Sequence, residues 1–124
     1  MSLTLVIAAL LIGAIGIAHS YLGERYIIVP LIRGGRLPRL RFGDAFTAGT
    51  VRGAWHITSV AWWGLATVLL HMAFAGNRDA WIATLIAVTF GVTAAMMLVL
   101  TRGKHLSWII FAAIAALTSM GARI

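Results

Sequence analysis

Three histidines, His19, His56 and His105, lie at the ends of long apolar segments, where they fall at one depth if those segments cross a membrane. Imidazole nitrogens bind divalent metals, and Glu24 or Asp44 could supply a carboxylate as the fourth ligand. No two of these histidines stand three or four residues apart, so no single helix holds two ligands on one face. The residues therefore allow a metal site of His19, Glu24, His56 and His105. They equally allow histidines that only reach water with their polar edges.

His71 follows His56 by fifteen residues, which is about 22 Å along a helix and about 60° around it. This spacing is similar to that in membrane cytochromes b, where one helix supplies ligands to two haems. However, no second histidine falls at the depth of His71, and Met72 lies beside it rather than opposite. Haem b is one candidate cofactor and a divalent metal another, and the candidate cofactor-binding residues are His19, His56, His105 and His71.

The composition places these residues in a membrane protein. Of the 124 residues, 61% are apolar and 10% are charged, and the mean hydropathy is +0.98, which excludes an ordinary soluble domain. Four segments without charged side chains each approach the about 20 residues that cross about 30 Å of hydrocarbon as a helix. Their apolar runs do not alternate as the strands of a membrane barrel do. We therefore expect a single all-α transmembrane domain, 1–124, with spans at about 3–21, 55–76, 80–101 and 105–122.

The connections between the spans predict the topology. Three-residue connections follow the second and third spans, so those helices are expected to be antiparallel neighbours in an up-and-down bundle. Eight of the ten basic residues lie in the long connection 22–54 and in the last connection, and positive connections stay in the cytoplasm. The sequence thus predicts an N-out/C-out protein of the bacterial inner membrane.

The long connection 22–54 is the largest segment outside the predicted spans. Pro30 is expected to end the first helix, Gly34-Gly35 and Leu37-Pro38 mark turns, and Asp44 is expected to cap the second helix. Arginines interleaved with apolar residues favour anionic lipid headgroups over nucleic acid as the partner. The alternative is an ordinary connection that only fixes the orientation. The expected headgroup ligands are Arg25, Arg33, Arg36, Arg39, Arg41 and Arg52.

Small residues predict where the helices pack, since helices in lipid associate by close approach. In the third span, they recur every four residues at Ala83, Ala87, Gly91 and Ala95, which indicates a contact strip for another helix. In the second span, Trp62 and Trp63 lie well inside. They either face lipid or fill the bundle, or they form a wall for a hydrophobic ligand or flat cofactor.

Several function classes lack support in this sequence. No Asp, Glu, Lys or Arg lies inside a predicted span, which disfavours ion-coupled transport. The absence of cysteine excludes disulfides and iron–sulfur clusters. Nothing resembles a phosphate-binding loop or a nucleophile elbow, and three acidic residues are few for acid–base catalysis. The sequence therefore gives no support for an enzyme.

Segments 19–25 and 52–63, with the Leu37-Pro38 pair, resemble parts of a family of small four-span bacterial inner-membrane proteins of uncharacterised function. The resemblance implies a four-span protein and supplies no catalytic residue. It directs attention to His19, Glu24, Arg52 and His56. Arg52 and Glu24 could pair, or both could bind a polar headgroup.

These observations favour a noncatalytic membrane protein that acts as an accessory subunit or oligomer of a membrane complex. The alternative is a helix bundle that binds haem, a metal or a quinone through histidines at the cytoplasmic boundary. A passive pore or carrier is a third class.

Overall fold

The computed structural model describes residues 1–39, 41–75 and 79–123, with the side chains of all of these except residues 100, 122 and 123. Within these ranges the regular structure is entirely helical, without strands, and the predicted all-α class is confirmed. Gly76, Asn77 and Arg78, on which the end of the predicted second span and the connection after it fall, lie outside the described residues.

The helices follow one another as α1 (Leu3–Gly23), a π-helical turn (Glu24–Ile28), α2 (Val29–Arg33), α3 (Asp44–Ala75), α4 (Ala80–Leu100) and α5 (Ser107–Arg123). Three described stretches are long and apolar enough to cross a membrane, namely Leu3–Arg33, Asp44–Ala75 and Ala80–Val99. They contain most of the first three predicted spans. α5 has only 17 residues and begins two residues after His105, so the fourth span has no helix of comparable length.

The first helix continues through Pro30, where the sequence predicted that it would end. In the π-helical turn, the Val29 N–H donates to the Glu24 carbonyl, five residues back. Pro30 then stands in the first turn of α2, where its missing N–H and fixed φ are tolerated. The prediction of a break at Pro30 is therefore wrong, because the π-helical turn accommodates the proline.

The connection after α2 begins with the turn predicted at Gly34 and Gly35. The Gly34 N–H donates to the Pro30 carbonyl at 2.9 Å, and Gly35 has a φ of +62°, which residues with a side chain rarely adopt. α3 begins at Asp44, but Asp44 is its first residue and not the cap that the sequence predicted, since the Gly43 carbonyl accepts the first helical bond. The N–H and the hydroxyl of Thr47 both donate to the carbonyl before Asp44, each at 3.2 Å.

Residues Met1–Gly13 and Gly64–Ile124 form one compact unit. In it α4 packs against α5, and the rings of Phe90 and Phe111 lie 5.9 Å apart. The end of α5 packs on the start of α1, since a Cβ on Gly121 would lie 2.6 Å from Leu5 Cγ. Close approach at a glycine thus fixes this contact.

The predicted small-residue strip of α4 lies only partly on its buried face. Ala83 and Ala87 are buried, and a Cβ on Gly91 would be 3.9 Å from α5. Ala95 is exposed, whereas Ala94 is buried. Four residues advance a helix by about 400°, so a strict four-residue strip drifts by about 40° per step. Ala95 is therefore not covered by another helix within this unit, and its packing role stays a prediction.

Residues Ala14–Trp63 form the second compact unit. It contains the end of α1, the π-helical turn, α2, the connection and the first part of α3. All the polar contacts of the candidate site lie within it.

Candidate functional site

Two glycines of α1 let the indoles of α3 lie against its backbone. A Cβ on Gly16 would be 2.5 Å from Nε1 of Trp63. At Gly23, which is buried, the indole of Trp55 fills the space that a Cβ would take. Because neither glycine has a side chain, α1 and α3 come close enough for their polar side chains to meet.

A chain of hydrogen bonds joins Arg52, Glu24, His56, Ser20 and Ser59. Arg52 donates to Glu24 Oε1 from Nη2 at 2.8 Å and from Nε at 2.9 Å. Glu24 Oε2 lies 3.1 Å from His56 Nε2, and His56 Nδ1 lies 2.9 Å from Ser20 Oγ. Ser20 donates to Ser59 at 2.8 Å. The chain therefore leads from an exposed guanidinium to a fully buried hydroxyl.

Glu24 lies between the Arg52 guanidinium and the His56 imidazole. A carboxylate only accepts hydrogen bonds, and the guanidinium beside Glu24 favours that ionised form. Nε2 of His56 is therefore the donor in its contact with Glu24. The contact between His56 Nδ1 and Ser20 has its donor set by the direction of the Ser20 hydroxyl.

His19 lies beside this chain in a different environment. Its ring stacks on Trp55, with centroids 4.6 Å apart and 1° between the planes, and Trp62 lies 5.0 Å away at 59°. The indole N–H of Trp55 donates to the His19 carbonyl at 3.0 Å. Nε2 of His19 is buried and has no hydrogen-bond partner among the described residues. An aromatic wall thus surrounds one unsatisfied nitrogen.

The structure brings only part of the predicted metal set together. Glu24 and His56 are in contact, whereas His105 belongs to the other unit, where its Nδ1 lies 2.7 Å from Ser107 Oγ. Among residues 1–39, 41–75 and 79–123, no group of three or more His, Cys, Asp or Glu side chains is placed to hold a metal ion. The four-ligand metal site stays a prediction without support from the described residues.

The candidate cofactor ligands are also differently placed. Both ring nitrogens of His56 already have partners, and His71 is exposed in the other unit. His19 is the predicted ligand whose Nε2 has no partner. A cofactor ligated by His56 would displace one of these hydrogen bonds, whereas His19 Nε2 has none to lose, so His19 is the better placed of the two.

The six arginines predicted to bind headgroups are all exposed. Of the two alternatives for Arg52, the structure has the ion pair with Glu24. The Arg52 guanidinium is bound to the Glu24 carboxylate. Arg52 is therefore expected to be a weaker headgroup ligand than Arg25, Arg33, Arg36, Arg39 and Arg41.

Sequence reasoning missed Ser20, Ser59 and the role of Trp55. A signal was present, since Arg52, His56 and Ser59 stand at helical spacing on one face of α3. Both serines lie inside helices, where backbone N–H groups bond within the helix. The N–H groups next to each serine are therefore used within its own helix and do not add oxyanion donors.

No known family model matches this chain, and neither the curated proteins nor the solved structures contain a match. The resemblance to small four-span bacterial proteins stays a hypothesis.

Proposed function

We propose that this chain is a noncatalytic multi-pass protein of the bacterial inner membrane that acts as an accessory subunit or oligomer. The observation that carries the proposal is how little of each apolar window the chain itself buries, 33% in Leu3–Arg33, 28% in Asp44–Ala75 and 28% in Ala80–Val99. Apolar surface on this scale exceeds what a monomer exposes to water. It suits lipid tails and the helices of a neighbouring subunit.

The proposal includes four antiparallel crossings with both termini outside the cell. Contacts within Ala14–Trp63 support antiparallel pairing of α1 with α3, since Ser20 meets Ser59 and Glu24 meets Arg52, in opposite chain order. α5, with 17 residues, covers about 26 Å, a few ångströms less than the about 30 Å of hydrocarbon. Local thinning of the bilayer accommodates a mismatch of this size.

The exposed arginines of the connection support a cytoplasmic contact with anionic lipid. Each arginine near an anionic surface contributes about 1 kcal/mol of attraction. The five arginines other than Arg52 make segment 22–54 a multivalent electrostatic contact, and its affinity for anionic lipid falls with rising salt.

Photo-crosslinking tests the accessory role directly. A photoreactive residue placed at Val88 or Val92, both more than half exposed on α4, is expected to crosslink to a second copy or to a partner in native membranes. The matched control is the same variant reconstituted at high dilution, where partner crosslinks should vanish. If the variants in native membranes gave uncrosslinked monomer and lipid adducts but no protein crosslinks, this result would contradict the proposal.

A ligand-binding bundle is the second candidate, and one observation favours it. Nε2 of His19 is buried without a partner and is flanked by the rings of Trp55 and Trp62. An imidazole nitrogen in an aromatic site could accept a hydrogen bond from a flat ligand or ligate haem iron.

An absorption spectrum and metal analysis of gently purified protein test this second candidate. It predicts a bound chromophore or metal that the His19→Ala variant loses. His71→Ala is the control, because His71 is exposed, and this variant should keep the bound group. Protein without either would exclude haem and metal.

A further inference from the structure

A cavity of about 300 Å³ lies where α2 ends and α3 begins. Its size is at the lower end of the range of small-molecule sites. The side chains of Ile32, Leu37, Ala45 and Ala48 give it an apolar wall, and the turn at Gly35 forms part of its rim. The cavity is separate from the chain of hydrogen bonds around His56.

Two opposite charges, Arg39 and Asp44, line this cavity. Both are exposed, and within the described ranges they form no ion pair with each other or with another side chain. Glu24, by contrast, is already bound by Arg52. An unpaired guanidinium and an unpaired carboxylate that share one small cavity suit a ligand that carries both charges.

We infer that the cavity between α2 and α3 binds a zwitterion of the phosphoethanolamine type, with its phosphate on Arg39 and its primary ammonium on Asp44. The planar guanidinium fork matches phosphate oxygens. An ammonium has three N–H donors for the carboxylate, whereas a quaternary choline group has none. A phosphoglycerol group carries no cation for Asp44. The chemistry therefore selects ethanolamine over choline and glycerol headgroups.

Two sources present this chemistry, a phosphatidylethanolamine headgroup and free phosphoethanolamine. The apolar wall suits the glycerol and the first acyl carbons of a lipid. The lipid source rests on the proposed membrane embedding, but neither the number of crossings nor the accessory role enters the inference. A chain that crosslinks to no partner and still retains ethanolamine lipid would remove the proposed function and keep the inference.

Native mass spectrometry of the detergent-solubilised full chain tests the inference. Phosphatidylethanolamine, phosphatidylcholine and phosphatidylglycerol with identical acyl chains are offered in turn. The wild type should retain ethanolamine lipid about tenfold more strongly than choline lipid, the difference of one charge-assisted contact. Asp44→Asn should abolish this preference, and Arg39→Gln should weaken all three lipids. Free phosphoethanolamine is added as a competitor to distinguish the two sources. If it displaces the bound phosphatidylethanolamine, the ligand is the soluble compound, and if the lipid stays bound, the ligand is the lipid.

Lys104→Gln is the matched control, because Lys104 is an exposed cation that neither lines the cavity nor belongs to the arginines proposed to bind headgroups. It should leave the ethanolamine preference unchanged. The helix content of each variant is checked by circular dichroism. If Asp44→Asn folds poorly, Asp44→Glu is used as well, and it should show the ethanolamine preference because it keeps a carboxylate. Equal retention of all three lipids by the wild type, or equal losses in Lys104→Gln and Arg39→Gln, would overturn the inference.

Discussion

Gly23→Ala tests whether close packing of α1 on the Trp55 indole holds the second unit together. The added methyl group would fall within the volume of the indole, so the ring must move. Trp55 also stacks on His19 and donates to the His19 carbonyl at 3.0 Å, and both contacts are lost if the ring swings away.

The size of the effect follows from three contributions. Overpacking of a tight contact costs about 1–3 kcal/mol, and the lost hydrogen bond costs about 1 kcal/mol. Alanine recovers about 1 kcal/mol through its helix propensity. The free energy of unfolding should therefore fall by about 1–3 kcal/mol.

Gly53→Ala is the matched control, since a Cβ on Gly53 in α3 has no atom within 4 Å. It should leave the protein as stable as the wild type or stabilise it by up to about 1 kcal/mol. Both variants are unfolded with SDS in mixed micelles, and the transition is followed by tryptophan fluorescence and circular dichroism. If Gly23→Ala were as stable as Gly53→Ala, the tight glycine–indole contact would be refuted.

Three further substitutions test separate contacts by the same unfolding assay. Trp55→Phe keeps an aromatic ring against His19 but removes the N–H donor, and it should destabilise by about 1–2 kcal/mol. Asp79→Ala removes the side chain that accepts the first N–H groups of α4, and it should destabilise by about 1 kcal/mol. Gly121→Ala forces a Cβ against Leu5 at 2.6 Å, and it should destabilise by about 1–3 kcal/mol.

Each of these has its own control. Trp81→Phe should be neutral, because the Trp81 side chain is 70% exposed. Asp79→Asn should keep most of the capping, and Gly91→Ala should be tolerated, because its Cβ would meet α5 at an ordinary 3.9 Å. A prediction fails where the test variant and its control unfold alike.

Hydropathy was sufficient to predict the helices, because a long apolar run in a small chain has no other stable structure in lipid. Capping preferences placed the start of α3 within one residue, because Asp44 is the first residue of the helix and Gly43 stands at the cap position predicted for Asp44. The passage of the helix through Pro30 was not predicted, because the π-helical turn that accommodates it has no recognised sequence signal. Within its unit the strip of small residues is buried at Ala83 and exposed at Ala95, because helical drift separates a four-residue repeat from one face.

The candidate site was predictable in part. The resemblance to small four-span proteins directed attention to His56, Glu24 and Arg52, and the structure brings these three together. Ser20 and Ser59 were missed, because serines are common in helices and only pairing across two helices gives them a role. His105 was grouped with the other histidines by depth alone, but the turn before α5 directs it to Ser107. Depth along a helix does not determine the direction in which a side chain points.

Cysteine labelling tests the central claim of four crossings most directly, since the natural chain contains no cysteine. Single cysteines at Arg36→Cys, at Lys104→Cys and after the last residue are treated with a membrane-impermeant maleimide, before and after permeabilisation of the cells. The terminal cysteine should react in intact cells, and the other two only after permeabilisation. A terminal cysteine that also required permeabilisation would show that α5 does not cross the membrane and would contradict the account.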